Sequence, residues 1–373
     1  MAKPVRKTRL LRSLTRAAKA QRSLLTTLLD VYAPMPTKPT RPARKAAPRK
    51  PAARPSVARP GLAPATGKWL AGRFPLAATS MQYWLYVPNH WPNHLPEHAP
   101  DERPRDGWPL VVMLHGCHQS ATQFAQGTRM NHLAEAEGFA VLYPQQSVTA
   151  QAQRCWRWYD RATQEGSGET EVLASLIGSV CEQHPIDRRR IYACGLSAGA
   201  GMAAILALNH PELIAAVALH SGPVFGAGHS PIGALHVMRH GAAAHADAAI
   251  SGLLMRRAAA SLPPMPALLI QGEDDQVVDP VNQRQLARQW LQLNGLPAGP
   301  ATRVAIKPAG RGGGRNAHEI HDYVVGRKVV LRVVRIAGLG HAWSGGDPAH
   351  AFNAKAGPDA SRMVLEFFGR HRR

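Results

Sequence analysis

Apolar and polar positions alternate between two periods along most of the chain. Short apolar runs at 81–87, 109–114, 139–143, 191–194, 214–220, 267–271, 303–306 and 329–336 predict strands. Between them, segments with apolar residues three and four apart predict helices at about 119–137, 169–183, 198–208, 280–293 and 359–368. Gly326-Arg327-Lys328 reads as the turn of a hairpin whose second arm is 329–336. Strands alternating with helices predict an α/β fold, a mostly parallel sheet with helices on both faces. Residues 222–262, rich in Gly, Ala and His, read as an insertion above that sheet.

The first 66 residues carry a different pattern. Leu10, Leu14, Ala17, Leu24, Leu28 and Val31 recur at helical spacing, with basic residues on the opposite face. Residues 1–33 are therefore expected to contain a cationic amphipathic helix, with 6–32 suited to a lipid or polymer surface. Residues 34–66, rich in Pro, Ala, Lys and Arg, read as a disordered linker, and the catalytic domain is expected to span 67–373. Charge sharpens this division. Residues 1–63 hold about sixteen Lys and Arg against Asp30 alone, so most of the net charge of +21 sits in the tail. The tail lacks interleaved aromatic residues, and specific nucleic-acid recognition is not expected. Its apolar positions are broken by Arg9, Arg12, Arg16, Lys19 and Arg22, unlike a secretory signal, and no transmembrane segment is read. Cytoplasmic residence is the resulting expectation.

The candidate chemistry centres on Gly195-Leu-Ser197-Ala-Gly199, placed between a buried strand and a small-residue helix. That context is what a nucleophile elbow requires: a tight corner that lifts the serine hydroxyl clear of the sheet. Glycine suits positions 195 and 199 because a side chain there would strike the neighbouring chain. The amide of Ala198, at the start of the helix, is then available to an oxyanion. Nucleophilic catalysis by serine further needs a base and an acid that orients it. In the order Ser, acid, His, the acid follows the strand at 267–271, where Asp274 and Asp275 both qualify. Asp279, directly before Pro280, suits a helix cap instead. Of eighteen histidines, His341 stands in the loop directly after the last core strand, within Gly338-Leu-Gly-His-Ala-Trp-Ser-Gly-Gly346. The second oxyanion donor is sought after the strand at 109–114, in the amide of Cys117 or His118. Cys181 and Cys194 lie in apolar patterns and read as buried thiols, while Cys117 and Cys155 stay open as a pair in an oxidising compartment.

The set of motifs resembles the polyhydroxybutyrate depolymerase family of esterases in the α/β-hydrolase superfamily. The resemblance covers most of 80–370. It rests on His115-Gly-Cys-His-Gln119, Cys155-Trp-Arg-Trp158, Gly195-Leu-Ser-Ala-Gly-Ala200, Gly272-Glu-Asp-Asp275-Gln-Val-Val278, Gly340-His-Ala-Trp-Ser-Gly-Gly346 and Gly357-Pro-Asp-Ala-Ser361. It implies an α/β-hydrolase fold and a Ser197–Asp275–His341 triad, the family's Gly-x-x-Asp-x-x-Val pattern selecting Asp275 over Asp274. It also implies a polyester or small-ester substrate, with no metal or cofactor. Trp343, Trp156 and Trp158 lie in the motifs and are candidates to line a substrate groove. Gln271 stands where the family usually has His, and neither a signal peptide nor a C-terminal polymer-binding module is read. The second departure favours an intracellular member on polymer granules, acting on poly(3-hydroxybutyrate) or its oligomers. A small-ester, feruloyl or acetyl-xylan esterase is the neighbouring reading. A non-catalytic granule-surface protein is the reading from another class.

Overall fold

A computed structural model describes residues 65–76, 80–89, 107–256 and 264–373. All lie in a compact unit that begins at Gly61. The expected surface helix at 6–32 and the linker up to residue 64 lie outside the described residues.

The sheet has ten strands in the order β1-β2-β4-β3-β5-β6-β7-β10-β9-β8. In sequence these are β1 (Lys68–Pro75), β2 (Ser80–Val87), β3 (Trp108–Leu114), β4 (Ala140–Pro144), β5 (Ile186–Leu196), β6 (Ala216–His220), β7 (Ala267–Gly272), β8 (Arg303–Lys307), β9 (His318–Val325) and β10 (Lys328–Ile336). The six central strands, β4 to β10, run parallel, and antiparallel pairs close both edges. The helices are α1 (Ala121–Thr128), α2 (Met130–Glu137), α3 (Arg161–Gln164), α4 (Glu169–Gln183), α5 (Ala198–Asn209), α6 (Pro231–His240), α7 (Ala243–Arg256), α8 (Val281–Leu293) and α9 (Ala360–Phe368).

Side-chain alternation shows why both faces are covered. Val111, Met113, Val141, Tyr143, Tyr192, Cys194, Leu268, Ile270, Val334 and Ile336 join one apolar cluster with residues of α1, α2 and α9. The residues between them, such as Leu110, Val112, Leu142, Ala193 and Leu269, are equally buried, on the side packed by α4, α5 and α8. A parallel sheet with both faces covered reads as continuous apolar runs, as these strands do. Residues 198–208 of α5 are all buried, so this helix is apolar all round and sits in the middle of the layer.

Three local expectations change. The single helix at 119–137 is two, because Arg129 adopts a left-handed conformation (φ 55°) between α1 and α2. The edge strand β1 lies where no strand was read, since most of its residues are exposed and show no alternation. Cys194 is buried, but Cys181 is only half-buried. Residues 222–262 contribute α6 and α7, both packed against α8.

Candidate active site

The chain turns from β5 into α5 at Ser197, whose backbone is held at φ 56° and ψ −121°. A left-handed φ strains any residue with a side chain, and such strain gathers at functional positions. The two flanking glycines make the corner possible. A Cβ on Gly195 would stand 2.3 Å from the carbonyl carbon of Gly199, and one on Gly199 would stand 2.0 Å from the Leu114 oxygen. The Ser197 N–H donates to the carbonyl of His220 at 2.9 Å, tying the corner to the end of β6. Ala198 opens α5, where amides have no partner within the helix.

Asp275 follows β7 and is buried, whereas Asp274 beside it is exposed. The Asp275 carboxylate accepts from His341 Nδ1 at 2.8 Å, from Gln271 Nε2 at 2.9 Å, and from the amides of Val277 and Val278 at 3.0 and 2.9 Å. Burial alone raises its pKa; the charge and hydrogen bond of His341 and the two amides outweigh burial and hold it below the usual carboxylate range. The chain can bring these loops together because Gly272 has no side chain: a Cβ there would lie 2.1 Å from the Leu339 oxygen. Gln271, where the family's usual histidine is absent, is thus a second side-chain donor to the acid and also bonds the Val278 carbonyl at 2.9 Å. Asp279 accepts from the Val281 amide at 2.7 Å, a bond at the start of α8.

His341 presents Nδ1 to Asp275, which leaves Nε2 for a partner hydroxyl. The loop carrying it is fixed from below by His220, a residue passed over in the sequence. The His220 ring stacks on Trp343 with centroids 5.1 Å apart, and its Nε2 accepts from the Ser344 amide at 3.3 Å. An acceptor Nε2 places the proton on Nδ1, which donates to Ser221 Oγ at 3.1 Å. Burial, then the charge of His341, lowers the His220 pKa to about 3, so the ring is neutral at pH 7. Ser197, Asp275 and His341 therefore follow β5, β7 and β10, on one edge of the sheet, and His220 of β6 links the serine corner to the histidine loop.

The loop after β3 completes the constellation. A Cβ on Gly116 would lie 3.6 Å from that of Ser197, so this backbone passes beside the serine. Gln119 holds it, accepting from the Gly116 amide at 2.9 Å and donating to the Ala351 carbonyl at 3.3 Å. The His118 amide donates to Gln153 at 2.7 Å and is occupied, which distinguishes it from that of Cys117. Cys117 and Cys155 form a disulfide. His115, at the end of β3, accepts through Nε2 from the Gln146 amide at 3.2 Å. Burial lowers its pKa to about 4.

The expected groove lining is corrected for Trp343 and Trp156. Trp343 and Trp156 have no exposed surface and offer no face to a ligand, whereas Trp158, at 4 % exposed, is as accessible as Ser197 at 3 %. Each indole has a packing role. Trp343 Nε1 donates to Ser361 Oγ at 3.0 Å and Trp156 Nε1 to the His115 carbonyl at 3.1 Å, as buried indoles require. Trp158 packs edge-on against Tyr159. Among the described residues no group of three or more His, Cys, Asp or Glu side chains is placed to hold a metal ion.

A mostly parallel sheet, with a strained serine corner after β5 and acid and histidine loops after β7 and β10, defines an α/β-hydrolase. The family described as Esterase PHB depolymerase matches residues 93–310, and the chain belongs to it. The chain is similar to a poly(3-hydroxyalkanoate) depolymerase C of Paucimonas lemoignei, 28 % identical over 239 residues, covering 62 % of this chain and 54 % of that protein. It is also similar to feruloyl esterase B of Thermothelomyces thermophilus, 31 % identical over 150 residues, covering 40 % of this chain and 46 % of that one. The chain thus spans about half the length of these curated relatives. Among solved structures, an acetyl xylan esterase from Aspergillus awamori shares the fold with a TM-score of 0.63 at 19 % identity, covering 81 % of this chain and 99 % of that one.

Proposed function

We propose that this protein is a serine esterase that hydrolyses poly(3-hydroxybutyrate) or its oligomers. The observation that carries the reading is the buried His341–Asp275 pair, with Nδ1 2.8 Å from the carboxylate. An acid that fixes one imidazole tautomer leaves Nε2 basic, the arrangement general-base catalysis needs. Ser197 Oγ attacks the ester carbonyl while His341 Nε2 takes its proton. The amides of Cys117 and Ala198 hold the resulting oxyanion, and Asp275 stabilises the imidazolium. His341 then protonates the leaving alcohol, giving an acyl-enzyme on Ser197. Water, deprotonated by His341, attacks that ester, and collapse returns the acid product and the free serine. A non-catalytic coat protein would have no use for an acid buried with four donors around it.

The neighbouring reading, a small-ester, feruloyl or acetyl-xylan type esterase, is favoured by one observation. Trp343 and Trp156, two of the three candidates to line a substrate groove, have no exposed surface. Turnover on amorphous granules decides between the two. Release of 3-hydroxybutyrate and its oligomers supports the first, and activity on soluble aryl esters without polymer turnover supports the second.

Residues 6–32 are the proposed anchor to the granule surface, their apolar stripe meeting polymer and their basic face meeting anionic groups. Deleting residues 1–63 should lower co-sedimentation with granules and leave turnover of soluble p-nitrophenyl butyrate unchanged. Equal binding by both forms contradicts the anchor. The N-terminal pattern favours the cytoplasm, whereas a disulfide such as Cys117–Cys155 belongs with oxidising compartments. Thiol trapping of these two cysteines in intact cells separates those locations.

A further inference from the structure

A cavity opens at the carboxyl ends of the parallel strands, the side of the sheet on which Ser197 lies. It lies where β1, β2 and the chain after β4 meet, and encloses about 340 Å³. Arg73, Gln82, Gln145, Gln146, Ser147 and Arg154 form most of its wall. Among the described residues no carboxylate lines it, and neither arginine is paired with one. Two guanidinium groups facing a neutral polar hollow make it an anion site by charge. Gln146 in its wall donates to the Glu169 carboxylate, which also accepts from the Arg157 amide and lies outside the lining. His115, to which Gln145 and Gln146 are bonded, is kept neutral at pH 7 by burial, with the positive charge of Arg154 a smaller contribution.

The position of the cavity bears on the reaction. Arg154 precedes Cys155, whose disulfide partner Cys117 lies in the loop beside Ser197. The Arg154 backbone is fixed at φ 54°, and its amide donates to Gln151 at 2.8 Å. In the sheet, β4, β2 and β1 stand two, three and four strands from β5, lateral distances of about 10, 14 and 19 Å at the usual strand spacing. The cavity is therefore too far to hold the ester being cut, and near enough to hold something attached to it.

The chemistry of a hydroxy-acid oligoester identifies that something. Such a chain ends in one free carboxylate, which always lies on the alcohol side of every ester bond. A planar carboxylate matches the fork of an arginine with two parallel hydrogen bonds. We infer that the Arg73–Arg154 cavity is a carboxylate subsite that takes the free acid end of a short hydroxy-acid oligoester and sets cleavage a fixed number of units from that end. This rests on the esterase reading above. The leaving alcohol carries the carboxylate, so the subsite holds the leaving group, not the acyl-enzyme. It adds to binding in the ground and transition states alike, and its effect falls mainly on KM.

The test compares the 3-hydroxybutyrate trimer as free acid and as methyl ester, with p-nitrophenyl butyrate run in parallel on the wild-type protein. The free acid should show a kcat/KM about tenfold higher than the methyl ester at low salt. Added salt should shrink that ratio, because the cavity is open to solvent. In Arg154→Gln and in Arg73→Gln the ratio should fall toward one. The wild-type ratio and its salt dependence stand without either variant. Equal rates on acid and methyl ester, with p-nitrophenyl butyrate hydrolysed normally, would overturn the subsite alone. So would a preference for the acid that persists unchanged in both variants. Failure to hydrolyse p-nitrophenyl butyrate at all would overturn the esterase reading beneath it.

Discussion

The carbonyl of His220 accepts the Ser197 amide at 2.9 Å, while the His220 ring stacks on Trp343, two residues beyond His341. One buried residue therefore positions both the serine corner and the histidine loop. In His220→Phe the stacking area is kept, but the Ser344 amide and Ser221 hydroxyl each lose a partner. A lost buried hydrogen bond costs about 1–3 kcal/mol, and the loop bearing His341 loosens. The expected result is a fall in kcat of about tenfold with KM nearly unchanged, read by steady-state kinetics on p-nitrophenyl butyrate. A raised KM at constant kcat would contradict the positioning role.

Asp275→Asn should lower kcat by about four orders of magnitude, because the amide permits the wrong imidazole tautomer. Asp274→Asn, on an exposed side chain one residue away, should change kcat by less than about twofold. Measuring the two variants side by side separates a specific contact from general loss of loop charge. The reverse ranking would reassign the acid.

Reducing the Cys117–Cys155 disulfide should lower both stability and rate. The crosslink joins residues 38 apart, and opening a loop of that length removes about 3–4 kcal/mol by chain entropy. The same bond restrains the backbone that offers the Cys117 amide, so kcat should fall in reductant as well. Thermal melts and turnover with and without dithiothreitol check both parts, with Cys155→Ala as the irreversible equivalent. Full activity in the reduced protein would separate the disulfide from the oxyanion site.

Stability should decline as pH falls below about 6.5. His115 and His220 are buried and neutral, with pKa values lowered to about 4 and about 3 from 6.5. Below 6.5 the unfolded chain takes up protons that the native rings refuse, so each histidine removes about 1.4 kcal/mol per pH unit. That loss continues until the native rings themselves titrate. Chemical denaturation between pH 7 and pH 5 reads the slope, and His220→Phe should remove at most about a third of it, since burial lowers His371 to about 4 as well. A stability that is flat across that range would mean these rings are not held neutral.

Some of the site is legible in the chain and some is not, for physical reasons. Gly195 and Gly199 are readable because no side chain fits where a Cβ would stand 2.3 or 2.0 Å from neighbouring backbone, and Ser197 is readable as the residue between them. Asp274 and Asp275 are not separable by spacing, because both fall on one loop and only the fold exposes the first and buries the second. Trp343 is ambiguous for another reason: its size signals apolar contact but not which side it faces, and it packs inward on Phe124 and His220. His220 is hidden by its setting, as the last residue of an apolar strand whose role appears only once β6 lies beside β5. Gln271 is hidden likewise, since its amide reaches Asp275 only through the turn at Gly272. The strand β1 is missed because an exposed edge has no apolar alternation to read.

The central claim is that Ser197 is the nucleophile, and the rate of Ser197→Ala on p-nitrophenyl butyrate tests it most directly. The alanine fits the corner, so the variant should fold, with an unchanged circular dichroism spectrum and melting temperature close to that of the parent. Its kcat should fall by about four to six orders of magnitude. A folded Ser197→Ala protein that hydrolyses the ester at the parent rate would contradict the account.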